Sequence, residues 1–235
     1  MGIELNLKLY RLDQYQSLVE NGSLLERDRR GVKVLRTVEG QIVKFFRNRN
    51  FWSSALFRPY AVRFVNNAKK LRRLGMTTVV PKDLYYCREE KCHLVFYEPI
   101  PGETLRDALA IADDLSALLD AFARYLAMLH AQGVLFRSVH FGNVIVDAEQ
   151  KFGLIDIADL KTKRGPLTVK ERVRNFRHMT RYVQDKQFID RYGAERFVQC
   201  YVSASELSEN AQSVFLSKLP QYAPFFINAA RSEPG

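Results

Sequence analysis

Two short apolar runs in the middle of the chain are joined by a polar turn. The runs are residues 143–146 and 152–157, and the turn is residues 147–151. Apolar runs of this length, bounded by turn residues, predict the two buried or half-buried strands of a β-hairpin. Because a hairpin brings its open ends together, Asn143 and Asp156 are expected to lie close to each other.

Earlier segments of the chain predict a second hairpin and two helices. Residues 31–38 and 41–46 are β-rich runs joined by Glu-Gly, and Lys44 lies among apolar residues of the second run. Residues 59–74 carry apolar side chains at helical spacing and are followed by a glycine, which predicts a helix that ends there. Before these elements, residues 9–19 predict one short helix.

The second half of the chain is richer in helix signals. Residues 77–86 and 92–97 predict two further strands, whereas residues 115–132 predict a long helix that carries the central hairpin segment. His130 lies near the end of this helix, where a hydrogen-bonding role is expected. Residues 187–219 predict two or three amphipathic helices.

The hairpin ends offer one site for candidate chemistry. An amide oxygen from Asn143 and a carboxylate from Asp156 are hard oxygen ligands of the kind that Mg²⁺ prefers. Taken singly, Asn143 is also a common turn residue, and Asp156 is also a residue that caps a strand end. The residues around Asn143 and Asp156 decide between the metal site and these separate structural roles.

The pattern of these residues resembles a known family. Residues 136–143, F-R-S-V-H-F-G-N, and 154–159, L-I-D-I-A-D, are similar to the catalytic loop and metal-binding segment of the protein-kinase-like superfamily. These residues resemble the bacterial lipopolysaccharide core kinase family, which includes the heptose and Kdo kinases and the toluene-tolerance-type proteins. The resemblance implies an α+β, protein-kinase-like bilobal fold. A small β-rich N-lobe, residues 1–98, and a shortened helical C-lobe, residues 99–235, would form one domain.

By this resemblance, the chain would bind ATP and Mg²⁺. Asn143 and Asp156 correspond to the metal-binding residues, and Lys44 corresponds to the strand lysine that holds the ATP phosphates. Backbone groups near Glu98, at the expected hinge, would bind the adenine edge. Asn67 takes the position of the helix glutamate that usually pairs with the lysine. The alternative for Lys44 is an outward-facing lysine on the polar side of its strand.

Departures from the kinase pattern affect the expected chemistry. Ser138 stands where kinases carry the catalytic aspartate, five residues before Asn143, and the glycine-rich loop is degenerate. Asn67 carries no charge. His140 could then act as a replacement base or only orient the loop, and Ser138 could hydrogen-bond the acceptor hydroxyl. Arg137 is expected to brace the loop.

Composition and charge limit the possible partners and location. A net charge of +10 and a pI of about 9.6 favour an anionic partner, such as nucleic acid, an anionic membrane surface or a phosphorylated substrate. The three cysteines fit a reducing compartment better than a disulfide framework. No signal-peptide pattern and no apolar run of membrane-spanning length is present. We expect a cytoplasmic protein that contacts the inner membrane only peripherally.

Two basic stretches have more than one interpretation. Residues 48–58 are aromatic and basic, and Phe51, Trp52 and Phe57 would more readily fill a core than contact a membrane or nucleic acid. A basic run after Asp156 is either a solvated face or a surface for the acceptor or a membrane. Its members are Lys161, Lys163, Arg164, Lys170, Arg172, Arg174, Arg177 and Arg181.

Two functions from different classes follow. The first is an ATP-dependent phosphotransferase that, by resemblance, acts on a sugar hydroxyl of the lipopolysaccharide inner core. The second is a pseudokinase that binds nucleotide or serves as a scaffold in envelope biogenesis, because Ser138 and Asn67 replace the usual acidic residues. Lys44, Asn143 and Asp156 favour the first. A nucleic-acid-binding role is not expected, because no recognised reader motif accompanies the charge.

Overall fold

The computed structural model describes residues 6–47 and 59–228, with side chains described through residue 226. The chain divides into two compact units, Met1–Ile100 and Pro101–Gly235. The aromatic segment with Phe51, Trp52 and Phe57 lies outside the described residues, so its expected role stays a prediction.

The first unit is rich in sheet. Its helices are α1 (Leu12–Asn21) and α2 (Tyr60–Arg73). Its strands are β1 (Leu7–Leu9), β2 (Ser23–Asp28), β3 (Gly31–Arg36), β4 (Ile42–Arg47), β5 (Thr77–Thr78), β6 (Val80–Cys87) and β7 (Cys92–Glu98). Six strands form a sheet in the order β1-β6-β7-β4-β3-β2. β1 pairs with β6 in parallel, and the other neighbours are antiparallel.

The predicted early hairpin is confirmed, and the N-terminal region contains more strand than predicted. β3 and β4 pair with Val34 opposite Lys44. The predicted short helix is α1, but β1 and β2 on either side of it were not predicted. Every residue of these two strands is exposed. β1 is only three residues long, Leu-Lys-Leu, and β2, Ser-Leu-Leu-Glu-Arg-Asp, lacks the alternation of apolar and polar residues by which a half-buried strand is recognised.

Alternate residues of β4 lie on opposite faces of the sheet. Val43 and Phe45 belong to a buried cluster that includes Tyr15 of α1. On the other face, Phe46 packs against Phe64 of α2, with ring centroids 5.4 Å apart. The α2 side of β4 is therefore the side that also carries Lys44.

The second unit is mostly helical. Its helices are α3 (Leu105–Ile111), α4 (Ser116–Ala131), α5 (Val169–Met179), α6 (Val183–Tyr192), α7 (Ala194–Ser203), α8 (Glu209–Tyr222) and α9 (Phe225–Asn228). Its short strands are β8 (Glu103–Thr104), β9 (Val134–Leu135), β10 (Val144–Val146), β11 (Phe152–Leu154) and β12 (Lys161–Thr162). A sheet-rich first part and a helical second part confirm the predicted α+β class.

Helix α4 is the predicted long helix that leads to the central segment. Asp114 accepts a hydrogen bond from the backbone N–H of Ser116 at 2.8 Å, which satisfies one of the unpaired donors at the helix start. The helix is followed by Gly133, whose φ of +73° suits glycine. Across the described ranges, no helix has both the length and the apolar character required to span a bilayer.

Candidate active site

The central hairpin brings the two predicted metal ligands to the same end. β10 and β11 pair antiparallel with Val144 opposite Leu154 and Val146 opposite Phe152. One residue beyond this pairing, the backbone N–H of Ile155 donates to the carbonyl of Asn143 at 3.0 Å. Asp156 follows directly. The ladder therefore continues to the open end, where Asn143 and Asp156 stand on facing chain segments.

The amide of Asn143 is held in one orientation. The side chain is buried, and its Nδ2 donates to the carbonyl oxygen of Ser138 at 3.0 Å. The backbone N–H of Asn143 donates to the carbonyl of His140 at 2.9 Å. Because Nδ2 is engaged as a donor, Oδ1 is the atom that would contact a cation.

Asp156 has an uncommon backbone conformation. Its φ of 52° and ψ of 44° lie in the left-handed region, directly before a 3₁₀ turn at Ile157–Asp159. Aspartate tolerates this region better than most residues, and such positions concentrate at functional sites. The chain therefore changes direction at this carboxylate, two residues after the end of β11.

The donor set fits one magnesium ion that is shared with a phosphate ligand. Mg²⁺ is commonly held by one or two protein carboxylates, with water and substrate phosphates completing six oxygen ligands. Asn143 and Asp156 supply an amide oxygen and a carboxylate. Among the residues that the structure describes, no group of three or more His, Cys, Asp or Glu side chains could hold a metal without such help.

His140 is half-buried and neutral. Its ring packs edge-on against Tyr182 at a centroid distance of 4.6 Å, and its Nδ1 is buried with no hydrogen-bond partner in the described part of the chain. Burial, the largest influence, and the charges of Arg106 and Arg181 lower the pKa of His140 to about 4, although Asp185 and Asp156 oppose this shift. A group with this pKa is a weak base at neutral pH.

An ion pair on the helical side holds the loop of residues 136–143. The sequence did not predict this ion pair. The buried carboxylate of Asp185 on α6 accepts from the backbone N–H of Phe141 at 3.1 Å. The same carboxylate accepts two hydrogen bonds from Arg106, at 2.7 and 3.0 Å. Since Asp185 lies 44 residues from Phe141, no local pattern could have identified the contact.

A second bracing contact is made by α5. Nδ2 of Asn175 donates to the carbonyl of Phe136 at 2.8 Å, and its Oδ1 lies 2.8 Å from Nε2 of His130. Nδ1 of His130 lies 2.7 Å from the hydroxyl of Tyr201. The predicted hydrogen-bonding role of His130 is confirmed. Its partners are side chains of α5 and α7.

Arg137 and Ser138 are more accessible than the residues around them. The side chain of Arg137 is exposed, and Ser138 is half-buried. The hydrogen bonds that hold the loop come from Asn143, Asn175 and Asp185, and none from the Arg137 side chain is found among the described residues. A bracing role for Arg137 therefore stays a prediction without a contact to support it.

The residues predicted in the first unit occupy two places. Lys44 is 6% exposed, and its Nζ lies 5.9 Å from the ring centroid of Phe64. Asn67 is buried on the same face of α2, one turn after Phe64. The outward-facing alternative for Lys44 is therefore wrong. Glu98, at the exposed end of β7, accepts a hydrogen bond from the side chain of Gln41 at 3.3 Å.

One member of the basic run is not on the surface. Arg172 is 2% exposed, and it donates to the carbonyls of Leu167 and Ser205 and to the hydroxyl of Tyr201. The expectation that this residue belongs to a solvated or ligand-binding face is corrected: α5 turns it inward, where three oxygen acceptors satisfy the guanidinium.

Comparisons with known proteins give one family. The family model described as "Lipopolysaccharide core biosynthesis protein (WaaY)" matches residues 15–200. No curated protein sequence matches the chain. Many solved chains are similar, and one is WbdD in a co-crystal structure with a kinase inhibitor, at 20% identity and a TM-score of 0.47. That match covers 85% of this chain and 43% of the WbdD chain, so this chain spans less than half of the length of WbdD.

Proposed function

This chain belongs to the family of lipopolysaccharide core biosynthesis proteins called WaaY, and from that premise we propose that it is an ATP-dependent phosphotransferase. The family implies a core kinase activity. The proposed acceptor is a sugar hydroxyl of the lipopolysaccharide inner core. The observation that carries the proposal is the pairing of Asn143 and Asp156 at the open end of one hairpin.

Each residue has a proposed task. Asn143 and Asp156 would hold Mg²⁺, which neutralises charge on the phosphates when bound. Lys44, buried on its strand, would hold the nucleotide phosphates, because a buried ammonium group requires anionic or polar partners. Asn67 would support the lysine, and the backbone near Glu98 would bind the adenine edge.

The loop lacks a strong base, and phosphoryl transfer tolerates this. The reaction depends mainly on positioning and charge stabilisation, so the loss of general-base catalysis slows it by roughly 10²–10⁴-fold without preventing it. Neutral His140, with a pKa of about 4, is better suited to orient the loop than to accept a proton. Ser138 would hydrogen-bond the attacking hydroxyl.

The acceptor and the place of action belong to the same proposal. A net charge of +10 favours an anionic acceptor such as the lipopolysaccharide core, and no nucleic acid is required to explain it. The inner core would be met at the cytoplasmic face of the inner membrane, where this protein would act through peripheral contact.

The rival function is a pseudokinase that serves as a scaffold in envelope biogenesis. Ser138 in place of the catalytic aspartate favours it. The well-held amide of Asn143 opposes it, because a scaffold has no physical need for an amide and a carboxylate oriented at one hairpin end.

Calorimetry of ATP binding, with and without Mg²⁺, separates these functions. We expect Mg²⁺-dependent binding by the wild type, loss of most of it in Asp156→Ala, and none of this loss in Asp113→Ala, which removes an exposed carboxylate elsewhere. If neither the wild type nor the variants bind ATP, the kinase mechanism is wrong and a scaffold remains. Where binding is found, Ser138→Asp is expected to raise the rate of transfer to a core saccharide.

A further inference from the structure

A wide cavity in the second unit borders the catalytic loop. It has a volume of about 970 Å³, and its walls come from β9, the loop, β12, α5, α6, the end of α8 and the start of α9. Six cationic side chains line it: Arg137, Lys161, Arg174, Arg177, Arg181 and Lys186. Of the acidic side chains that the structure describes, Glu171 alone lines it. The cavity is therefore strongly positive.

Within the described part of the chain, these six cations form no salt bridge that would neutralise them. Glu171 forms a salt bridge with Lys163 at 2.5 Å and accepts hydrogen bonds from Thr168 at the start of α5. In the described ranges, no salt bridge joins any of the six cations to a carboxylate. Such a concentration of like charge destabilises a surface, so a ligand that neutralises it is the simplest physical reason for its presence.

Aromatic rings lie beside two of these cations. The guanidinium of Arg174 lies 5.7 Å from the Tyr222 ring, and the ammonium of Lys186 lies 6.0 Å from the Phe225 ring. Stacking on a ring face restricts the side chain and leaves its N–H donors available to an anion. The side chains are thus partly preorganised for binding.

The charges of three guanidinium groups affect the pKa of one residue in the cavity wall. The pKa of His178 is lowered by burial first, and then by the charges of Arg137, Arg177 and Arg181. These side chains come from the catalytic loop, α5 and the turn after it. The positive potential is therefore concentrated at one place.

We infer that this cavity is an acceptor subsite that binds a phosphate monoester already present on the saccharide. The inference rests on the proposed function and adds a substrate feature to it. Arginine clusters suit phosphate because each guanidinium can donate two parallel hydrogen bonds to its oxygens. Arg137 lies in the cavity wall and directly precedes Ser138, so a phosphate bound here would position a neighbouring hydroxyl at the loop.

Arginine side-chain NMR on the full chain tests the subsite, without ATP or Mg²⁺. Glucose 6-phosphate is the probe, and glucose is its uncharged counterpart. We expect the Nε–H resonances of Arg174, Arg177 and Arg181 to shift with the phosphate only. Affinity should fall about tenfold or more in Arg177→Glu/Arg181→Glu, since charge-assisted hydrogen bonds are lost.

The control carries the same charge change outside the cavity, in Lys170→Glu/Arg191→Glu. Equal weakening in the control, or no shift with glucose 6-phosphate, overturns the inference. Binding of phosphatidylglycerol vesicles that depends on the cavity arginines, without binding of the sugar phosphate, also overturns it and assigns the surface to lipid headgroups.

A final comparison separates this inference from the proposed function. Asp156→Ala should keep the affinity for glucose 6-phosphate and lose Mg²⁺-dependent ATP binding. The cavity variant should show the reverse. If the cavity binds the sugar phosphate but the wild type binds no ATP, the subsite stands and the kinase mechanism fails.

Discussion

Helix α5 has two polar faces that are built in opposite ways. Its inner face carries Arg172 and Asn175, whose hydrogen bonds go to backbone carbonyls, to His130 and to Tyr201. Its outer face carries cations that line the cavity and pair with no carboxylate in the described ranges. Matched polar groups hold the loop in place, whereas unmatched charges are available to a ligand.

The difference predicts that substitutions on the inner face of α5 will change stability, whereas substitutions on the outer face will change ligand binding. Changes on the inner face leave buried donors and acceptors without partners, which costs free energy of folding. Changes on the outer face remove solvated charges, which matter little to folding.

The largest expected effect on stability is that of Asn175→Ala. It leaves the carbonyl of Phe136 and the ring of His130 without their hydrogen bonds, at a cost of about 3 kcal/mol in the free energy of unfolding. Urea denaturation measures this cost. Arg177→Ala on the outer face is the matched control and should change stability by less than ~0.5 kcal/mol. Equal losses in both would remove the distinction between the faces.

The second effect is the pH dependence of the inner network. Burial lowers the pKa of His130 from 6.5 to about 3, so the neutral ring contributes stability above the unfolded pKa. That stability is lost as pH falls below 6.5, because the unfolded chain takes up the proton first. Between pH 4 and 6, the free energy of unfolding should rise with pH less steeply in His130→Gln than in the wild type. The difference in slope should be about one proton, or ~1.4 kcal/mol per pH unit. An unchanged slope would show that His130 is not buried as a neutral ring.

A third, smaller effect concerns the start of the helix that carries both faces. The hydroxyl of Thr168 caps α5 by accepting from the backbone N–H of Glu171, whose carboxylate bonds back to Thr168. Thr168→Ala should cost about 1 kcal/mol in thermal or urea unfolding. Thr168→Ser keeps the hydroxyl and should recover most of the loss. Failure of serine to recover it would point to packing of the methyl group.

The smallest expected effect is that of charge reversal on the outer face. Arg174→Glu/Arg177→Glu relieves repulsion among like charges, so stability should stay within ~0.5 kcal/mol or rise slightly. The difference from the wild type should shrink as NaCl is raised, because salt screens exposed charges. A large loss of stability would show that these cations support the fold.

Local patterns predicted the parts of the site that lie close together in sequence. The hairpin that pairs Asn143 with the segment before Asp156 closes over a short turn, so apolar runs and turn residues were enough to identify it. The burial of Lys44 also agrees with its apolar neighbours along β4. By contrast, β1 and β2 have no buried residues; β1 is only three residues long, and β2 has no hydrophobic alternation.

The sequence by itself determined the two hairpins, the helices α1, α2 and α4 and the residue types at the candidate metal site, because each depends on neighbours along the chain, whereas α5 was not predicted. Only the tertiary structure decided how the loop is held and where the cations gather. Asp185 and Asn175 reach the loop across 44 and 39 residues, and Arg172 is turned inward while Arg174 faces the cavity. Burial and partners at such distances depend on the packing of helices, which no local spacing of residues encodes.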